Sequence, residues 1–161
     1  MKSVGTEMRR AGVTILVASM IAACGTNNEG DPDGGVDARV DAPPGCTRPD
    51  LDAPGLKAYV TDVVAQLAAA PRANTTQRDV ARTYLSNQLT ALGWQPQLHA
   101  YANGANVFAT VPATLGDGKM IVVGAHFDTV MNSPGANDNA SGVAVVLAVA
   151  RYLRDTPCRT A

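Results

Sequence analysis

Glutamate and histidine are scarce in this 161-residue sequence. The only glutamates are Glu7 and Glu29, and the only histidines are His99 and His126. Both glutamates precede residue 50, in a region that lacks the composition of a folded domain. The folded part of the chain therefore has no glutamate, and its carboxylate chemistry depends on aspartate.

The sequence also has little net charge and few aromatic residues. Its formal net charge is −1, and aromatic residues make up 4% of it. Binding to nucleic acid requires a basic patch or stripe, and the sequence contains none. We therefore expect no nucleic-acid partner.

The N-terminal apolar run is too short to span a membrane, but it has the layout of an export signal. Lys2, Arg9 and Arg10 precede thirteen mostly apolar residues at 11–23, whereas a membrane span needs about 20. The run ends in Ile-Ala-Ala before Cys24, which resembles the lipobox of bacterial lipoproteins. This resemblance implies a signal peptide at 1–23, lipid attachment at Cys24 and an exported protein anchored in a bacterial membrane. The expected location is the outer membrane, cell surface or periplasm, and an ordinary secretory signal is the alternative.

Residues 24–50 have the composition of a disordered tether. They are rich in Gly, Asp, Asn and Pro and have almost no large apolar side chains, so they cannot bury enough surface to offset the entropy of ordering. Cys46 and Cys158 flank the remaining domain, and export compartments permit disulfides. The sequence leaves open whether these cysteines pair or remain separate thiols.

Hydrophobic periodicity in residues 51–161 predicts an α/β domain. Helical spacing with cap residues predicts helices at about 53–70 and 74–92, and a third helix begins near residue 141. Strand patterns occupy 94–101, 105–111 and 119–126. The last of these is nearly continuous in apolar residues, so we expect it to be buried on both faces.

Three polar residues cluster near the end of this last strand. Strand alternation places His126 and Asp128 on one face, and Asp138 follows in a loop rich in Gly and Asn. Imidazole and carboxylate groups are ligands that zinc accepts, although His126 and Asp128 could equally form only a hydrogen bond at a strand end. His99 has no partner residues at ligand spacing, so we do not expect it to bind metal.

Two segments strengthen the metal hypothesis. Residues 124–130 read GAHFDTV and residues 135–142 read GANDNASG, which together resemble the signature of the two-zinc aminopeptidases of metallopeptidase family twenty-eight. Residues 106–112, NVFATVP, resemble the strand that precedes the metal strand in that family. The resemblance implies a three-layer zinc-exopeptidase-like fold with a mixed central sheet. Here the fold is truncated after the helix that follows the loop containing Asp138.

Carried over by residue, the resemblance makes His126 a ligand of one zinc ion and Asp138 the carboxylate that bridges two. Asp128 becomes the residue that orients His126. In such enzymes the zinc pair activates a water, a glutamate acts as general base, and the substrates are peptides with a free N-terminus.

Four functional residues of the family have no counterparts in this sequence. They are the general-base glutamate, an adjacent glutamate ligand, a further acidic ligand and a last histidine. We therefore expect residues 51–161 to be the N-terminal part of a catalytic domain, inactive alone and with an exposed sheet edge. The alternatives are a related carboxypeptidase-like hydrolase, a glutaminyl-cyclase-like relative with one zinc, and a non-catalytic surface lipoprotein that retains the fold.

Overall fold

A computed structural model describes residues 12–18, for which it gives the backbone, together with residues 46, 49–115 and 120–159. Within these residues the chain forms four strands, three α-helices and one π-helical turn. In chain order they are β1 (Gly12–Ala18), α1 (Ala53–Ala68), α2 (Thr75–Ala91), β2 (Gln97–Tyr101), β3 (Gly104–Pro112), β4 (Met120–His126), the π-helical turn (Ala136–Ala140) and α3 (Ser141–Arg154).

The first two helices begin where the sequence provides side-chain caps. Asp52 accepts a hydrogen bond from the main-chain N–H of Gly55 at the start of α1. Asn74 and Gln77 form a reciprocal capping box at the start of α2. Gly93 ends the second helix with a φ of +83°, a conformation that favours glycine. The predicted helices are thus confirmed to within two or three residues.

The strands form one mixed sheet in the order β2-β3-β1-β4. β2 and β3 are an antiparallel hairpin, with Gln97 opposite Phe108. β1 lies between β3 and β4, antiparallel to the former and parallel to the latter. The α/β class is therefore correct.

All three helices share one core with one face of β3. Alternation in β3 buries Ala105, Val107, Ala109 and Val111 against the helices, while Thr110 and Pro112 are exposed on the other face. The helices contribute the fully or nearly fully buried side chains of Val63, Leu67, Leu85, Leu89, Val143, Val146 and Leu147. The described residues thus form one helical layer on one sheet, which positions the end of β4 beside the start of α3.

β4 is more exposed than its sequence predicts. The side chains of Met120, Ile121 and Val122 are 64%, 54% and 58% exposed. Within the described residues β4 pairs only with β1, so it forms an edge of the sheet. The prediction of burial on both faces is wrong, because the apolar character of a strand does not specify which layers cover its two faces.

β1 was not predicted as a strand. Residues 12–18 belong to the run interpreted above as the apolar core of an export signal, and here they pair with β3 and β4. Val13, Thr14, Ile15 and Val17 are β-branched, which favours an extended strand, so one apolar segment suits both roles. Cleavage before Cys24 would remove β1, and that cleavage stays a prediction.

Cys46 and Cys158 form a disulfide with Cα atoms 5.3 Å apart and a sequence separation of 112 residues. The rest of the predicted tether and Cys24 lie outside the described residues. No helix in the described part of the chain combines the length and apolar character needed to cross a membrane.

Reduction of the disulfide should destabilise the domain. A cross-link that closes a loop of this size restricts the unfolded chain and contributes about 5 kcal/mol in the chain-entropy model. We expect Cys158→Ala to lower the melting temperature and to abolish the further decrease that dithiothreitol causes in the wild type. An identical melting temperature for the oxidised and reduced wild type would contradict this expectation.

Disruption of β1 should loosen both of its neighbours. Leu16→Pro removes a main-chain N–H donor from an interior strand, where proline is poorly tolerated. The loss of about one hydrogen bond should make amide exchange roughly tenfold faster. We expect this increase in β3 and β4, measured by hydrogen exchange on the full chain. Val36→Pro, outside the described residues, is the control, and unchanged protection in Leu16→Pro would show that β1 does not support the sheet.

Candidate metal centre

The last residue of β4 and the two that follow it build one side of the centre. Phe127 is fully buried in the core, which fixes the main chain between His126 and Asp128. His126 Nδ1 lies 3.3 Å from Asp128 Oδ1, and these side chains are 30% and 24% exposed. The two polar groups therefore lie together at the surface, with the main chain between them anchored in the core.

The π-helical turn contributes the other side of the centre. Asp138 Oδ1 lies 3.0 Å from His126 Nε2, and the Asp138 side chain is 86% exposed. Asp138 and Asn139 have non-helical backbone angles and are joined by a cis peptide bond. Asn139 Oδ1 accepts a hydrogen bond of 3.1 Å from Gly142 N, which ties the turn to the start of α3.

The imidazole of His126 thus has a carboxylate at each nitrogen. When Asp128 accepts a hydrogen bond from Nδ1–H, the lone pair of Nε2 is directed away from Asp128 and towards Asp138. Two ligands of a tetrahedral zinc lie roughly 3.3 to 3.5 Å apart, so the 3.0 Å between Nε2 and Asp138 Oδ1 needs little widening. The exposed side chain of Asp138 is free to make that adjustment.

These residues fit part of a zinc site. A structural zinc needs four ligands and a catalytic zinc needs three from the protein. Across residues 46, 49–115 and 120–159 no group of three or more His, Cys, Asp or Glu side chains is arranged to hold a metal ion. The centre therefore requires further ligands, from water or from groups beyond the described residues.

The structure brings together the three residues that sequence analysis selected, and it separates His99 from them. His99 pairs with Asn106 on the β2–β3 hairpin. In the sheet order, β3 and β1 lie between β2 and β4. Three strand spacings correspond to about 14 Å, which is too far for His99 to share a metal ion with His126.

Sequence analysis did not identify Arg72, which joins the segments of the centre from inside the protein. Arg72 is 3% exposed and follows α1. Its Nε donates to Phe127 O at 2.5 Å, Nη1 to Pro134 O at 2.9 Å and Nη2 to Gly135 O at 3.0 Å. Burial lowers the pKa of Arg72, and the nearby negative charge of Asp128 partly opposes this shift. No periodicity or motif around residue 72 signals these contacts.

Gly135 leaves the space that the guanidinium needs. Its φ is +58°, and a Cβ atom placed there would lie 2.7 Å from both Arg72 Nη2 and Asp138 O. A larger residue would therefore strain the backbone and push against Arg72. Gly135 and Arg72 together fix the main-chain path that leads to Asp138.

The strand, loop and helix that form this centre are similar in sequence to a known family of peptidases. Residues 106–160 match the family model described as peptidase family M28. The match contains His126, Asp128 and Asp138, and it confirms the resemblance to metallopeptidase family twenty-eight.

Part of the chain is also similar to a named aminopeptidase. The chain is 53% identical to aminopeptidase YwaD of Bacillus subtilis (strain 168) over 38 residues, which cover 24% of this chain and 8% of that protein. The chain thus matches a small part of the length of this curated relative. No solved structure matches the chain significantly.

Proposed function

We propose that this chain carries part of the metal centre of a zinc-dependent aminopeptidase, with His126 and Asp138 as zinc ligands. The observation that supports this most directly is the approach of His126 Nε2 to Asp138 Oδ1 at 3.0 Å, inside the segment that matches peptidase family M28. The similarity to an aminopeptidase of Bacillus subtilis supports aminopeptidase activity and hence peptide substrates with a free N-terminus.

Each residue has a separate part in this proposal. Asp128 accepts the Nδ1–H hydrogen bond, which fixes the tautomer of His126 and makes Nε2 the ligand. Asp138 provides an exposed carboxylate that can bridge two ions. Zinc held there would polarise a substrate carbonyl and lower the pKa of a bound water. The resemblance assigns the general-base role to a glutamate, and the described part of the chain contains none, so these three residues do not include that base.

Metal titration of the full chain tests the ligand assignment. His126→Ala and Asp138→Asn each remove one of two donors, so we expect each to weaken Co²⁺ or Zn²⁺ binding by at least about tenfold. Asp128→Asn should weaken binding by about tenfold through the orientation of His126. The measurements are calorimetry with Zn²⁺ and the visible absorption of bound Co²⁺.

His99→Ala is the matched control, because it removes the other histidine of the sequence from a position about 14 Å away. It should bind metal like the wild type. Equal affinity in His126→Ala and the wild type would reject this centre.

We also propose that the protein is exported and carries lipid on Cys24. The Cys46–Cys158 disulfide supports this location, because structural disulfides persist in oxidising compartments outside the cytoplasm. Two or more acyl chains would anchor the protein stably in a membrane.

Metabolic labelling with a radioactive fatty acid in a bacterial host tests lipid attachment. We expect the wild type and Cys46→Ser to incorporate label and Cys24→Ser to incorporate none, because only Cys24 follows the lipobox-like sequence. An unlabelled wild type, or a Cys24→Ser protein labelled like the wild type, would contradict lipidation at this residue.

A further inference from the structure

Arg72 donates hydrogen bonds to main-chain oxygens at both ends of residues 127–135, which we call the metal loop. Its guanidinium donates to Phe127 O, which directly follows His126, and to Pro134 O and Gly135 O, which precede Asp138. It also donates to Leu67 O and Ala70 O at the end of α1. A single buried side chain therefore connects three separate segments.

We propose that Arg72 is a positioning residue that sets the separation of His126 and Asp138. This inference rests on the proposed metal centre. The contact with Phe127 O holds the chain beside His126, and the contact with Gly135 O holds the base of the turn that presents Asp138. The two anchor points are thus fixed relative to one rigid, planar group.

Gly135 O is the link between the arginine and the π-helical turn. It accepts one hydrogen bond from Arg72 Nη2 and a second, of 3.0 Å, from Ala140 N, which closes the turn around Asp138. Asp138 itself is 86% exposed and receives no support from the core. Its position consequently depends on the main chain at Gly135 and Ala140.

The main chain of Arg72 adds a second connection to the same loop. Arg72 N donates to Thr129 Oγ1 at 2.8 Å, and Thr129 N donates to Arg72 O at 3.3 Å. Thr129 directly follows Asp128, so this pair holds the residue that orients His126. All three members of the centre are therefore adjacent to, or a few residues from, a group bonded to Arg72.

The number and arrangement of these acceptors specify arginine. A guanidinium has five N–H donors in a fixed planar fork, whereas a lysine ammonium has three donors at one point. Lysine could retain the positive charge at residue 72, but it could not reach Phe127 O, Pro134 O and Gly135 O together. Arg72→Lys therefore separates the effect of donor geometry from that of charge.

The test measures Co²⁺ affinity, the visible spectrum of bound Co²⁺, melting temperature and amide exchange on the full chain. We expect Arg72→Lys and Arg72→Met to weaken Co²⁺ binding by about tenfold, the lower end of the range for residues that orient metal ligands. Without metal, both should also increase exchange at the Ala140 amide, since Gly135 O loses its anchor.

Arg82→Met is the matched control. Arg82 is 7% exposed and pairs with Asp79 within α2, so its loss removes a buried arginine without altering the metal loop. It should lower the melting temperature but leave Co²⁺ affinity, the Co²⁺ spectrum and Ala140 exchange unchanged. This pattern would distinguish positioning from a general contribution to stability.

Arg72→Lys retains the charge and most of the buried volume, so it serves as the decisive variant if Arg72→Met does not fold. Wild-type Co²⁺ affinity and spectrum in folded Arg72→Lys would overturn the positioning role, provided that His126→Ala loses binding in the same assay. Retained binding in His126→Ala would instead reject the metal centre and the inference that depends on it.

Discussion

The hydrogen bonds between the Arg72 guanidinium and main-chain carbonyls make an irregular polar loop compatible with an apolar core. Residues 127–134 leave a strand before any helix begins, so neither a sheet nor a helix pairs the carbonyl groups of Phe127 and Pro134. An unpaired buried carbonyl costs about 1–3 kcal/mol. Arg72 satisfies those of Phe127 and Pro134 and adds a second hydrogen bond to Gly135 O, which also accepts from Ala140 N. The loop can therefore pass close to the core and still present Asp128 and Asp138 at the surface.

The burial of Phe127 is the apolar counterpart of this network. Its side chain is fully buried between two polar residues that remain partly exposed. Arg72 donates to the carbonyl oxygen of the same residue. One residue thus receives both apolar packing and a charge-assisted hydrogen bond, and this double constraint fixes where β4 ends and where His126 lies.

Features that depend on neighbours in sequence were predictable, and features that depend on distant contacts were not. The caps at Asp52 and Asn74 act within three residues, so the helix starts could be predicted from the local sequence. His126 and Asp128 lie two residues apart in an extended chain, and strand geometry alone places them together. Arg72 contacts residues 55 to 63 positions away, and no local pattern predicts such contacts.

The sheet shows the same limit. The apolar runs at 11–23 and 119–126 were both recognised, the first as the apolar part of an export signal and the second as a strand buried on both faces. The pairing of residues 12–18 with β3 and β4 and the exposure of β4 both depend on residues in other parts of the sequence. The hydrophobicity of a segment predicts that it tends to be buried, but it does not predict which other segments will cover it.

The uneven exposure of the three site residues indicates how the centre is organised. His126 and Asp128 are held by the end of a strand and are mostly covered, whereas Asp138 is 86% exposed on a turn. A cation bound by His126 and Asp138 would therefore be accessible to solvent at Asp138. Because two protein ligands are too few for zinc, the exposure of Asp138 leaves room for the groups that complete the coordination.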